Sequence, residues 1–226
     1  MPTLYLVATP IGNLEDITLR ALRVLREVSL IAAEDTRKTR RLLVAHEIQT
    51  PTTSYHEYNK ESKLPQLLKS FSEGDVALVS DAGMPGINDP GYDLIQAAIE
   101  NGIEIVPIPG PSAIPTALAV SGLTAEQFVH LGFLPRKTGQ RKKLLESVAE
   151  QSRSIVAFES PHRLLSALKD IQAVLGERRL VICREMTKLH EEIWRGTAGE
   201  AIEHFAKPKG EFTLVIEGKQ RKKSNS

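Results

Sequence analysis

Apolar positions along this chain fall into two alternating rhythms. Short continuous runs such as "TLYLVAT", "LIAAE", "DVALVS" and "IEIVPI" read as strands. Between them lie segments with helical spacing. The first has Leu19, Leu22 and Leu25 on one face; a basic helix follows near Thr36, and others from about Pro90 and Ser112. After Gly122 the alternation restarts with "FVHLGF", a second basic helix, "SIVAFE", a helix from Pro161, then "RLVICRE", "EEIWRG", a short helix and "EFTLVIEG". Strands alternating with helices predict an α/β protein. The turn residues of "VSGLTAEQ" (120–127) mark a boundary, so two α/β domains are expected, over 1–120 and 121–218, with a basic disordered tail over 219–226.

Composition places this architecture in a compartment. The 226 residues suffice to bury a core, and 25 % charged against 41 % hydrophobic residues is ordinary for a soluble globular protein. One cysteine, Cys183, excludes an intramolecular disulfide, and no apolar run is long enough to span a bilayer. A cytoplasmic protein without membrane attachment is expected.

Charge changes the picture more. The net charge is only +1, yet no lysine or arginine occurs between Ser70 and Pro135, where Glu73, Asp75, Asp81, Asp89, Asp93, Glu100, Glu104 and Glu126 lie. All 29 bases therefore sit in the flanks, clustered as "TRKTRR" (36–41), "RKTGQRKK" (136–143) and "KQRKK" (219–223). Such clusters are either a footprint for a polyanion or solvated helix faces and a tail.

The acidic middle carries the most unusual turn, "SDAGMPGINDPG" (80–91), directly behind "DVALV". It has neither the Gly-Lys-Ser/Thr ending of a Walker A loop nor the spacing of G-x-G-x-x-G. Glycines that admit close backbone contact, beside carboxylates and away from cations, suit a ligand with a positive centre. S-adenosylmethionine carries both an ammonium and a sulfonium. Asp89-Pro90 equally reads as N-cap and first residue of the next helix. A second glycine-bearing turn, "PIPGPSA" (107–113), follows the next strand, and ligands of open α/β sheets settle outside such strand ends. Ser112 there either caps its helix or holds a carboxylate.

Eight motifs in order, "VATPIGNLEDIT" (7–18), "AEDTR" (33–37), "SDAGMPGINDPG", "PIPGPSA", "GFLPRK" (132–137), "ESPHR" (159–163), "REMTKLHEE" (184–192) and "KGEFTLVIEG" (209–218), resemble those of the small-subunit ribosomal RNA 2'-O-ribose methyltransferases, within the tetrapyrrole methylase superfamily. The resemblance covers roughly residues 3–218. It implies two α/β domains with an S-adenosylmethionine cleft between them, usually in a homodimer. The implied target is a cytidine ribose in the decoding region, on 16S RNA or the assembled small subunit. Met84 stands where the family commonly has threonine, and many members continue into a helical extension where this chain reads "KQRKKSNS". Tetrapyrrole C-methylases typically open with a "VGxGPGD"-like turn and carry "GDP" later. This chain has "VATPIGN" and "SDAGMPG" instead, which ranks that activity second. An inactive RNA-binding module is the third alternative.

Motif matching carries over a set of residues. Pro10, Ile11, Asp81, Met84, Gly86, Ile87, Ser112 and Ala113 are implied at the methionine end of the cofactor, and Phe158, Met186, Thr213 and Leu214 at its adenosine. Arg37, Arg40, Arg41, Arg136, Lys137 and Arg163 are the expected RNA contacts. Glu34, Asp35, Glu185 and Lys188 are the candidates for a base near the ribose hydroxyl. Structural alternatives are Asp35 as cap of the "TRKTRR" helix and Glu185 paired with Arg37 or Arg184. His56, His162 and His190 are too scattered for a metal site, and none is predicted.

Overall fold

The structure, a computed structural model, describes residues 2–220. Those residues divide into two compact units, one ending at Ser112 and one beginning at Ala113.

The first unit contains β1 (Thr3–Val7), α1 (Leu19–Glu27), β2 (Leu30–Ala33), α2 (Thr36–Ala45), β3 (Thr52–Ser54), α3 (Lys60–Ser70), β4 (Val76–Val79), α4 (Tyr92–Glu100) and β5 (Glu104–Ile108). Its strands are all parallel, in the order β3-β2-β4-β1-β5. The continuous apolar run of β4 has a direct cause. Ala77 and Val79 pack with Val24, Leu25 and Leu42 of α1 and α2, while Val76 and Leu78 pack with Leu67 and Leu94 of α3 and α4. Helices cover both faces, so neither set of alternating positions can be polar. The segment between α2 and β4 lacks a clear apolar rhythm, and it supplies β3 and α3. β3 has three residues at the sheet edge, and α3 contains Pro65.

The second unit contains α5 (Ala113–Ser121), β6 (Phe128–Phe133), α6 (Thr138–Ser147), β7 (Ser154–Glu159), α7 (Leu164–Leu175), β8 (Leu180–Arg184), β9 (Glu192–Gly196), α8 (Ala198–His204) and β10 (Phe212–Ile216). Its sheet runs β6-β7-β10-β8-β9, parallel only between β6 and β7. One face packs Ile155, Ala157, Ile182 and Leu214 against Leu145, Leu168 and Ala201 of α6, α7 and α8. α5 packs on β10 and β9. Thr197 and Glu200 close a reciprocal capping box at the start of α8.

Two helix starts differ from expectation. α4 begins at Tyr92 with Gly91 as its N-cap, not at Asp89-Pro90. A Cβ on Gly91 would lie 3.1 Å from Leu78 Cδ2 and 3.3 Å from Gly86 Cα. This tight approach sets where the helix begins and leaves Asp89 in the loop. α7 begins at Leu164, because the Ser160 carbonyl accepts N–H bonds from both Arg163 and Leu164 in a preceding turn. Of the tail expected over 219–226, residues from 221 onward lie outside the described residues.

Candidate functional site

All five strands of the first unit point their carboxyl ends the same way, so the turns after β1, β2, β4 and β5 collect at one edge. Thr9 and Gly83 exchange two backbone hydrogen bonds of 2.9 Å, and the Thr9 hydroxyl donates to Ser80 O at 3.0 Å. Gly83 and Gly86 adopt φ of +82° and +83°, the left-handed region that favours glycine. A Cβ at Gly83 would lie 3.7 Å from Pro111 O and 3.8 Å from Ile11 Cγ2. Gly110 lies so close to Ala8 that a Cβ would come within 3.0 Å of the Ala8 Cβ. The segments holding Pro10 and Ile11, Asp81 to Ile87, and Ser112 thus meet at one place. Ala113 is the next residue along the chain.

Carboxylates gather on the same edge. Glu34 follows β2, and its Oε2 accepts the Asp81 N–H at 3.1 Å. Asp81 replies by accepting the Asp35 N–H at 3.1 Å on Oδ1 and the Lys38 ammonium at 2.6 Å on Oδ2. Burial raises the Glu34 carboxyl above its usual range; the Asp81 N–H opposes this and the Asp81 charge adds to it. Asp89 is pushed up to about 7, first by burial and then by the charges of Glu34 and Asp81. Burial and the neighbouring negative charge thus make ionisation costly for both Glu34 and Asp89. Asp35 differs: it caps α2 and grips Arg37 through Nε at 3.0 Å and Nη2 at 2.7 Å, which holds it well below the usual carboxylate range. Of Glu34 and Asp35, Glu34 has the greater proton affinity.

In the second unit, the segment after β8 folds back on the one before β10. Glu185 and Thr187 take left-handed φ of +49° and +65°, a conformation that costs non-glycine residues energy, and they flank the buried Met186. Bonds over-determine this turn. Glu185 Oε1 accepts from Lys188 Nζ at 2.9 Å and from the Glu211 N–H at 2.8 Å. Lys188, not an arginine, is therefore the partner of Glu185. Burial alone would raise the Glu185 carboxyl, but Lys188 and Glu211 outweigh it and the net shift is downward. Burial likewise works to lower Lys188, yet Glu211 and Glu185 hold it above its ordinary value. Lys188 accordingly offers charge at neutral pH, not a lone pair.

Thr213, Phe158 and Cys183 share one row across the sheet. Leu214 points the other way, fully buried among the α6–α8 core residues. Cys183 is buried and its thiol is pushed up to about 11 by that burial, which makes it inert.

The expected RNA contacts separate into two kinds. Arg37, Arg40 and Arg41 lie exposed on α2, and Arg136 and Lys137 lie exposed between β6 and α6. Arg163 is engaged at every arm: Nη2 with Glu159 at 2.7 Å, Nε with Ser160 Oγ at 3.1 Å, Nη1 with Leu134 O at 2.9 Å. Arg141, within the basic run, is 1 % exposed and bound to Asp170 at 2.7 Å. Helical phase was the available signal, since Arg141 shares a face with Leu145. Asp89 and Lys38 were the other residues that sequence reasoning did not bring into the site. Among the described residues, no group of three or more His, Cys, Asp or Glu is arranged to hold a metal, and no helix is long and apolar enough to cross a membrane.

The first unit is thus a parallel α/β sheet whose glycine-bearing strand ends surround half-buried carboxylates. Residues 3–202 match the model of the tetrapyrrole (corrin/porphyrin) methylases, and the chain belongs to that family. It is similar to proteins named ribosomal RNA small subunit methyltransferase I. The one from Halalkalibacterium halodurans is 52 % identical over 97 % of this chain and 77 % of its own length. That from Thermotoga maritima is 52 % identical over 97 % of this chain and 100 % of its own. The Bacillus subtilis protein is 45 % identical over 96 % and 76 %.

Proposed function

We propose that this protein transfers a methyl group from S-adenosylmethionine to the ribose 2'-hydroxyl of a cytidine in the decoding region of small-subunit ribosomal RNA. The observation that carries the reading is about 50 % identity, along nearly the whole chain, to relatives bearing the small-subunit methyltransferase name. The first unit fits the cofactor: its glycine turns admit close backbone contact, and Glu34, Asp81 and Asp89 supply negative charge for an ammonium or sulfonium. Bound there, S-adenosylmethionine supplies an electrophilic methyl on a sulfonium that becomes a neutral thioether.

The residues of this chain have modest chemical work. With that donor bound, the 2'-oxygen would form the new C–O bond as the S–C bond breaks, and the hydroxyl proton would leave to a base or to water. Glu34, with its raised proton affinity, is the best suited of the candidate bases to receive it. Alignment and exclusion of water by the tied loops supply the rest of the acceleration. Arg37, Arg40, Arg41, Arg136 and Lys137 meet phosphates in this reading, and the protein acts as a cytoplasmic homodimer.

The test is incubation with labelled S-adenosylmethionine and small ribosomal subunits, followed by mapping of the labelled nucleotide. Label on a cytidine ribose supports the reading. Transfer only to a tetrapyrrole overturns it in favour of C-methylation, and RNA binding without any transfer overturns it in favour of a binding module.

A further inference from the structure

β6 is an edge strand with a bulge near its end. His130 pairs with Val156 and Phe133 with Phe158, so three steps on β6 span two on β7. Gly132, at φ +66°, absorbs the extra residue. Without the bulge, Phe133 would share a face with Val129 and Leu131, which pack on the α6–α8 core. The bulge turns it onto the opposite face, beside Phe158. There the ring centroids of Phe133 and Phe158 lie 5.4 Å apart, Phe158 also meets His130 edge-on at 5.0 Å, and Phe133 remains 56 % exposed. A device that moves a phenylalanine from a core-facing position into solvent opposes stability, and such violations mark functional positions.

The segment after Phe133 is held unusually firmly. Three consecutive carbonyls are gripped by buried or half-buried guanidiniums: Leu134 O by Arg163 at 2.9 Å, and Pro135 O and Arg136 O by Arg141 at 3.0 and 3.3 Å. Glu159 and Asp170 in turn fix those arginines. The side chains this clamped segment sends outward are Arg136 and Lys137. An exposed aromatic ring with two cations close behind it on a rigid backbone matches the way proteins hold unpaired nucleic acid, by base stacking with phosphate contacts alongside.

We propose that Phe133 is a stacking platform for an unpaired base of the RNA substrate, with Arg136 and Lys137 taking the adjoining phosphates. This rests on the RNA reading above and adds a base-binding site to it. Its test measures binding of the full chain to a short single-stranded RNA and to an abasic strand of equal length, alongside S-adenosylmethionine binding and molar mass in solution. Wild type should prefer the strand with bases. Phe133→Ala should weaken RNA binding about tenfold or more and leave the abasic strand untouched, because stacking needs a base. Phe133→Trp should keep the preference, and Phe133→Leu, which retains apolar area without a π face, should lose most of it. Arg136→Ala with Lys137→Ala should weaken both strands and flatten the salt dependence by about 0.7 per lost contact.

The platform is overturned if Phe133→Ala binds RNA like wild type, or weakens both strands equally. It is also overturned if the substitution lowers the molar mass, which would make the ring part of a self-interface, or if only S-adenosylmethionine affinity falls. Should wild type bind neither strand, the platform fails, while the RNA reading stands or falls on the labelling of small subunits. Should it bind RNA with no dependence on Phe133, only the platform fails.

Discussion

Beyond the strands of the first unit, the loops are tied by backbone amides and carboxylates: Thr9 to Gly83, Asp81 to Glu34, Asp35 to Asp81. In the second unit guanidiniums tie the segment after β6, with Arg163 and Arg141 gripping carbonyls of residues 134–136 and being gripped by Glu159 and Asp170. Both arrangements give rigid loops, but each leaves a different charge for a ligand. The first concentrates carboxyls, of which Glu34 and Asp89 resist ionisation and Asp81 is paired with Lys38. The second neutralises its cations inside the fold and leaves others, Arg136 and Lys137, exposed to solvent. The same problem of fixing a loop is thus solved with opposite charges in the two units.

Breaking the guanidinium side should have the largest effect. Asp170→Ala leaves Arg141 buried without its counter-ion, which costs about 3–5 kcal/mol. Pairing Asp170→Leu with Arg141→Met should recover much of that loss. Trp194 is the protein's one tryptophan and lies in the second unit, so urea unfolding followed by its fluorescence reads the effect directly. A loss below about 1 kcal/mol in Asp170→Ala would mean that the clamp contributes little.

Next in size is Gly210→Ala. Gly210 has φ +91°, and an added Cβ would lie 2.6 Å from Glu185 Cδ. Glu185 must then swing away from Lys188 and the Glu211 N–H. Strain and lost bonds together are expected to cost about 2–3 kcal/mol. Gly102→Ala is the matched control in the first unit: its φ is +66° but nothing lies within 4 Å of the new Cβ, so about 1 kcal/mol of backbone strain is expected. Equal losses at the two positions would show that the Glu185 contact is immaterial.

How much of this was legible in the sequence depends on whether a feature has a period. β4 was plain as an unbroken apolar run because helices bury both of its faces, and Asp35 as a cap because its helix follows at once. The Phe133 bulge was not, since a single inserted residue breaks the very alternation by which a strand is read. β3 and α3 escaped because a three-residue edge strand and a helix interrupted by Pro65 carry too little pattern. Asp89 looked like a helix cap because Asp-Pro usually is one. Only the packing of Gly91 on Gly86 reveals that the helix starts later. In the same way, the basic clusters could not separate cations that fix the fold from cations that face solvent.

On the carboxylate side, pH is the probe. Asp89 titrates near 7 in the folded protein against an ordinary 3.8. A folded acid with a raised pKa binds its proton more tightly than the unfolded chain does. Its stabilising effect is therefore complete below about pH 4 and is lost as pH rises through about 7. Asp89→Asn should flatten that decline and stabilise the protein above pH 7 by about 1–2 kcal/mol, discounted for partial solvent contact. Calorimetric unfolding across this range checks it. If Asp89 also meets the cofactor's positive charge, wild-type affinity for S-adenosylmethionine should rise with pH through 7, and the Asn variant should lose that rise. An unchanged stability profile in Asp89→Asn would remove Asp89 from the cluster.

The smallest expected effect on stability sharpens the comparison most closely, because it concerns the cation that the first unit places among its carboxylates. Lys38 reaches from α2 to Asp81 at 2.6 Å, but its side chain is 57 % exposed. An ion pair so wet contributes no more than about 1 kcal/mol, so Lys38→Met should hardly shift unfolding. Its effect on ligand binding should be opposite in sign. Asp81 is one of the carboxylates proposed to meet the cofactor's ammonium, and Lys38 already neutralises it. Removing that cation leaves Asp81 its full charge, while the Asp35 N–H still orients the carboxylate through Oδ1. S-adenosylmethionine affinity should therefore rise by about threefold, and the gain should shrink as salt screens the charge. The demethylated product, which lacks the sulfonium, still carries the ammonium and should gain similarly. Isothermal titration of both ligands into wild type and Lys38→Met, at low and high salt, decides it. A fall in affinity for both would show instead that Lys38 holds Asp81 in its binding position, and that this carboxylate needs a cation of its own fold just as Glu159 needs Arg163.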